Sequence, residues 1–265
     1  MKPKLLAVLN FISVLLAIGT SYFTQAFQLN GNTIGSLSKQ PEYANLFTPA
    51  GYAFAIWGLI YLGLLAFSVY HLYQVFKKKN VQAFLQQTGL WLVAANVATS
   101  AWVVAWLYEY TGLSVVFMLI ALFSLIKIIL NTNMERWGAP FKTIAFSWWP
   151  ICLYSGWISV ATIANISAYL VKIEWEIFLF TEVQWAIIMV IVATLLNLAM
   201  IYFRNMREFA AVGIWALFAI YIKQQDNVES IAYAALIGAI LIGLYAGYHG
   251  FINRKTNPMF KMINT

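Results

Sequence analysis

A chain of 265 residues would suit one or two soluble domains, but 62% of it is apolar and only 9% is charged. An ordinary globular protein carries about 25% charged residues, so this composition cannot build an aqueous surface and reads as an integral membrane protein. The net charge of +7 does not call for nucleic acid as a partner: basic residues at the cytoplasmic ends of helices give the same sum, and no basic stripe or nucleic-acid motif is present.

Lys2 and Lys4 precede an apolar run from Leu5 to about Thr24, long enough to cross a hydrocarbon core, which takes about 20 helical residues. A signal peptide is the rival reading. The run is longer than a usual signal core, and residues 21–27 lack a small-x-small cleavage site, so a first spanning helix is expected. Residues 25–48 form a long polar connection, and long ordered loops are often lids.

The second span begins at Pro49 or Gly51 and runs to Phe76, where Lys77, Lys78 and Lys79 close it. It opens with Phe47–Tyr61, FTPAGYAFAIWGLIY. If Tyr52 onward is helical, Phe54, Trp57 and Tyr61 share one face. The third span covers about Gln87 to Tyr108, and the fourth Thr111 to about Leu130. The fifth, Thr143 to Val171, contains Pro150, which should kink it or mark a late start. The sixth runs from Val183 to Phe203. The seventh, Phe209 to Ile222, falls short of the usual minimum of about 17 residues. The eighth, Ser230 to Ile252, carries Gly238, Gly243 and Gly247, which suit close helix packing and leave a homodimer open.

Charge tests this map. With the N-terminus in the cytoplasm and eight alternating helices, only Lys39, Lys172 and Lys223 of the basic residues fall outside. The positive-inside rule counts lysine and arginine alone, so both termini are expected in the cytoplasm. The expected fold class is all-α, a polytopic membrane bundle of about eight helices.

Catalytic signatures are missing. The spans hold no carboxylate pair for acid–base work, no HExxH and no phosphate-cradling loop. His71 and His249 have no neighbouring carboxylate in sequence, which argues against a metal site. The single cysteine, Cys152, excludes an intrachain disulfide and a thiolate cluster. No catalytic residue, metal ligand or resident cofactor is expected. Uncharged polar residues such as Asn96, Thr99, Ser155 and Asn197 either bond between helices or line a pocket. In the fifth span, Tyr154, Trp157, Ala161 and Asn165 form one stripe at helical spacing. A flat hydrophobic ligand or a neighbouring helix would fit it equally well.

These two stretches together resemble the tryptophan-rich sensory protein family, which includes bacterial TspO and the mitochondrial translocator protein. The family's second helix opens on a Phe-x-Pro-Pro-x-Trp-x-Phe pattern followed by Trp and Tyr; Phe47, Pro49, Phe54, Trp57 and Tyr61 match. Its fifth helix reads approximately Pro-Tyr-Leu-x-Trp-Val-x-x-Ala-x-x-Leu-Asn; Tyr154, Trp157, Ala161 and Asn165 match at the same spacing. Trp102 corresponds to a family tryptophan in the third helix. Ala50, Tyr52 and Leu153 depart from the pattern, standing where the family has Pro, Trp and Pro.

The resemblance covers about residues 1–171. It implies a five-helix ligand-binding bundle there, with residues 172–265 as a three-helix extension. It further implies a receptor or regulator, not an enzyme, that binds a flat hydrophobic molecule such as porphyrin or haem in a pocket between helices two and five under the first loop. The residues implied to form that pocket are Tyr52, Phe54, Trp57, Tyr61, Trp102, Tyr154, Trp157, Ala161 and Asn165. A small-molecule transporter and a non-catalytic structural subunit are the alternatives. The lipid bilayer and a small hydrophobic ligand are the expected partners, and a bacterial inner membrane the expected location.

Overall fold

The computed structural model describes residues 2–79, 83–175 and 180–254. Lys255 and Lys261, which the charge map puts inside, lie outside the described residues. Among those described there is no β-strand. Eight long helices carry the fold: α1 (Pro3–Phe27), α2 (Ile56–Phe76), α3 (Trp91–Leu107), α4 (Thr111–Asn131), α5 (Trp149–Lys172), α6 (Glu182–Arg204), α7 (Arg207–Gln224) and α8 (Glu229–Ile252).

Among the described residues, six helical stretches are long and apolar enough to cross a membrane: those containing α1, α2, α4, α5, α6 and α8. The two others are shorter. α3 has 17 residues, because Gly89 takes a left-handed backbone (φ 56°) and separates it from the short helix Ala83–Thr88. α7 has 18 residues and is longer than its apolar run, because Arg207 and Glu208 form its first turn and Lys223 and Gln224 its last. Hydropathy misses such polar ends.

Helix α5 is the centre. It packs against α2, α4 and α7, and its span is 72% buried, against 33–39% for the other candidate spans. The chain enters it through Phe141–Thr143 and a π-helical turn, Ile144–Trp148. Pro150 follows directly, within a helical path that is unbroken from Phe141 to Lys172, and its missing N–H cannot continue the regular ladder. The proline thus does not mark a late start; the wide π turn, in which Trp149 N–H donates to the Ile144 carbonyl, accommodates it inside the helix.

Around this centre, α1 packs on α2 and α3, α3 on α4, and α6 through α8 on one another. One continuous apolar core runs from Val14 of α1 to Ile242 of α8. At Gly156 the backbones of α5 and α7 approach so closely that a Cβ would lie 2.9 Å from the Phe209 carbonyl oxygen. Leu15, Phe123, Leu195 and Leu244 are exposed on the outer faces, as expected of surfaces solvated by lipid tails in an integral membrane protein.

Hydrogen bonds tie the connections together at each end of the bundle. At one end the first loop meets the α3–α4 turn and the last turns of α5 and α7: Asn30 Nδ2 donates to the Leu107 carbonyl (3.2 Å) and Gln224 Nε2 to the Leu46 carbonyl (2.7 Å). At the other end Arg204 donates to the Ile129 carbonyl (2.8 Å) and Asn205 Nδ2 to the Glu135 carbonyl (2.8 Å). Successive long helices thus run between the two ends of the bundle, consistent with a polytopic membrane bundle.

Candidate ligand-binding site beneath the first loop

The first loop is an ordered cap. Thr33 and Ser36 exchange hydrogen bonds as a capping box and start the one-turn helix Ile34–Leu37. Leu37, Tyr43 and Phe47 are fully buried beneath it. Tyr43 is its anchor. The phenol donates to Glu109 Oε2 at 2.7 Å, its ring meets Trp106 edge-on at 5.7 Å, and the Lys172 ammonium lies 5.3 Å from its centroid. Lys172 also donates to the Glu109 carbonyl at 2.7 Å. Burial first, then the hydrogen bond and negative charge of Glu109, push the Tyr43 phenol above its ordinary pKa, so it remains a donor at any physiological pH.

The loop descends through Pro49 into a 3-10 turn, Gly51–Ala55, that leads into α2. Helix α7 braces this hinge. Ala50 N–H donates to the Ala219 carbonyl at 3.1 Å, and Trp215 Nε1 to the Ala53 carbonyl at 3.1 Å. The last helices therefore do more than extend the bundle: one of them holds the segment from which the aromatic face hangs.

Under the cap lies a cavity of about 50 Å³. It is lined by Ile34, Ser38 and Tyr43 from the loop, Thr48, Pro49 and Phe54 from the hinge, and Trp102 and Trp106 of α3. Trp157, Val160, Ala161, Ala164, Asn165 and Ala168 of α5 complete it. Five residues singled out from sequence thus meet here: Phe54, Trp102, Trp157, Ala161 and Asn165. Phe54 and Trp157 face each other edge-on at 5.8 Å.

The other four take different places. Trp57 stands behind the lining, stacked on Tyr61 (5.3 Å) and Trp102 (6.4 Å) and edge-on to Trp157 (6.5 Å). Tyr61 supports Trp57 from the far side. Tyr154 is fully buried, bonded to the Thr99 hydroxyl at 2.6 Å and donating to the Ala95 carbonyl at 3.2 Å. Tyr52 points away from the cavity; it is 42% exposed and packs edge-on against Trp215 at 5.3 Å. A 3-10 turn carries three residues per turn, so the face shared by Trp57 and Tyr61 does not extend back to Tyr52.

Polarity in the cavity is one-sided. Asn165 exchanges hydrogen bonds with the Ser114 hydroxyl at 3.1 and 3.2 Å. The indole Nε1 atoms of Trp57, Trp102, Trp106 and Trp157 are buried without a partner. A buried donor without a partner costs about 1–3 kcal/mol, so three lining indoles invite hydrogen-bond acceptors. Sequence reasoning did not single out Tyr43, Trp106, Glu109, Lys172 or Trp215 for the site. Of these only Lys172 stood out, as one of three basic residues on the outer side; the tie between Glu109 and Tyr43 required the folded loop. The two histidines lie apart from the cavity, His71 bonded to Ser147 at 3.1 Å and His249 to Asn205 at 3.1 Å.

The sequence model of a family described as TSPO-like protein matches residues 7–248. The match runs well past residue 171, through α6 and α7 and into α8. No curated protein and no solved structure matches the chain.

Proposed function

Because the chain belongs to the TSPO-like protein family, we propose that it is a non-catalytic membrane receptor or regulator that binds a flat hydrophobic molecule bearing hydrogen-bond acceptors beneath the first loop, most closely a tetrapyrrole. The observation that carries this reading is the set of orphaned indole donors around an otherwise apolar, aromatic cavity. A purely apolar ligand would leave those donors unpaired. A tetrapyrrole carrying carboxylates offers a planar face for Trp157 and Phe54 and oxygen acceptors for the indoles.

Size sets a condition. Pockets for ligands of this class measure about 300–1,000 Å³, whereas the closed cavity, about 50 Å³, has room for only a few waters. Binding therefore requires the cap to lift. The Tyr43–Glu109 hydrogen bond and the Lys172 contacts are what must give way, while the hinge at Pro49–Ala55 stays pinned to α7. Orientation follows the charge pattern, with the cap outside the cytoplasm and both termini inside, in a bacterial inner membrane.

The test is quenching of tryptophan fluorescence by protoporphyrin in detergent-solubilised protein. The reading expects saturable quenching at micromolar ligand that Ala161→Phe abolishes by filling the cavity. No quenching, or quenching indifferent to Ala161→Phe, overturns it.

A further inference from the structure

At the end of α5 away from the cap lies a second cavity, about 300 Å³ in volume. Three elements meet there. Glu135 comes from the α4–α5 connection, held in a left-handed backbone (φ 61°) while its carbonyl accepts from Asn205. Glu208 lies in the first turn of α7, with Oε1 accepting from Trp149 Nε1 at 3.1 Å. Cys152 lies in the first turn of α5 and is fully buried. A carboxylate oxygen of each glutamate and the Cys152 sulfur all lie within 4.8 Å of one another.

The protein satisfies these groups only in part. Glu135 Oε1 and Glu208 Oε2 are buried without a hydrogen-bond partner. Trp148, only 2% exposed, lines the same cavity, and its Nε1–H has no partner either. Two adjacent half-buried carboxylates repel and call for positive charge, of which Arg207, lining the same cavity as Arg136, supplies a part. A leftover indole donor calls for an oxygen. A hydrated metal cation supplies both, the ion to the carboxylates and a coordinated water to the indole.

We propose that Glu135, Cys152 and Glu208 form a binding site for a divalent cation of the zinc class. Mixed carboxylate and thiolate donors suit a borderline-soft ion better than magnesium or calcium, which take oxygen alone. His249 lines the cavity with an unpartnered Nδ1, and its Nε2 is paired with Asn205 Oδ1; a ring held in this way can supply a fourth ligand. With metal–ligand bonds of about 2.0–2.3 Å, the donors must close by about 1 Å from their present spacing. On binding, the thiol proton and any carboxyl proton pass to solvent, and the metal takes their place.

The experiment uses cobalt as the probe. Purified full-length protein in detergent is titrated with Co²⁺ under reducing, chelator-free conditions and read by near-ultraviolet absorption. Cys152 is the only cysteine, so a thiolate-to-cobalt charge-transfer band reports this site. The expected result is that band, saturating at one Co²⁺ per chain and reversed by Zn²⁺. Glu208→Gln should weaken affinity by at least about 10- to 100-fold, the loss typical even of a supporting contact. Cobalt binding without the band, no binding, or full affinity in a folded Glu208→Gln protein overturns the proposal. If Glu208→Gln does not fold, Cys152→Ser with retained cobalt affinity overturns it equally. Ligand binding under the cap is read by a different signal, so the two sites fail separately.

Discussion

At the capped end of α5, Trp157, Ala161 and Asn165 border an aromatic cavity of about 50 Å³ whose unpaired polar atoms are indole donors. At the opposite end, Trp148 borders a polar cavity of about 300 Å³, and the buried Cys152 lies against two carboxylates whose unpaired oxygens are acceptors. One helix thus presents opposite chemistry at its two ends. The difference follows from what closes each end. Tyr43, Leu37 and Phe47 seal the first with apolar surface. The second is bounded by the connections between helices, where the basic and acidic residues of the bundle collect.

Substitutions can ask whether the two ends are independent. Trp157→Ala removes the central aromatic wall and should destabilise the protein by about 3–5 kcal/mol, measured by unfolding in detergent. It should abolish porphyrin quenching and leave cobalt absorption intact; loss of both signals would show one coupled unit. Gly156→Ala places a methyl 2.9 Å from the Phe209 carbonyl and 3.0 Å from Val212 Cβ. It should cost about 1–3 kcal/mol by prising α5 from α7, and should impair the polar end first, because Cys152 and Glu208 sit on those two helices.

Tyr43→Phe takes away the donor to Glu109 and should loosen the cap by about 1.5 kcal/mol, a modest value for a hydrogen bond to a charged group. Faster amide exchange across residues 28–50, with the α4–α5 connection unchanged, is the expected readout. Glu135→Gln probes the other end through pH. Burial, then the neighbouring Glu208, raise the Glu135 carboxyl from 4.5 to about 8, with Arg207 opposing. The folded protein keeps this proton while the unfolded chain ionises, so with metal chelated its contribution to stability declines as pH rises from about 4.5 to about 8, then levels off. Glu135→Gln should flatten that decline; an unchanged slope between those limits would refute the account. Tyr52→Ala should have the smallest effect. It removes one edge-on contact with Trp215, about 0.5–1.5 kcal/mol, and should leave porphyrin quenching as it was.

Legibility in the sequence differed between these ends. Trp57, Tyr61 and the stripe on α5 were visible because helical spacing brings side chains of one segment onto one face; Phe54 reaches the cavity from the 3-10 turn instead. Tyr52 shows the limit: a 3-10 turn before α2 changed the period and sent it to Trp215. The polar cluster left no trace, since Glu135, Cys152 and Glu208 belong to three separate segments. Of the two histidines weighed in the sequence as metal ligands, His249 lines the polar cavity, whereas His71 is bonded to Ser147 elsewhere.

Length and hydropathy determined by themselves that this is a polytopic helical membrane bundle, because solvation by lipid is a local property that each segment carries alone. The resemblance at Phe47–Tyr61 and Tyr154–Asn165 was likewise readable within single segments. Only the tertiary structure decided that α7 braces the hinge, that Tyr43 and Glu109 fasten the cap, and that two carboxylates and a thiol meet beneath Trp148. Those contacts join residues far apart in the chain, and only the close packing of α5 against α4, α7 and the loops places them together.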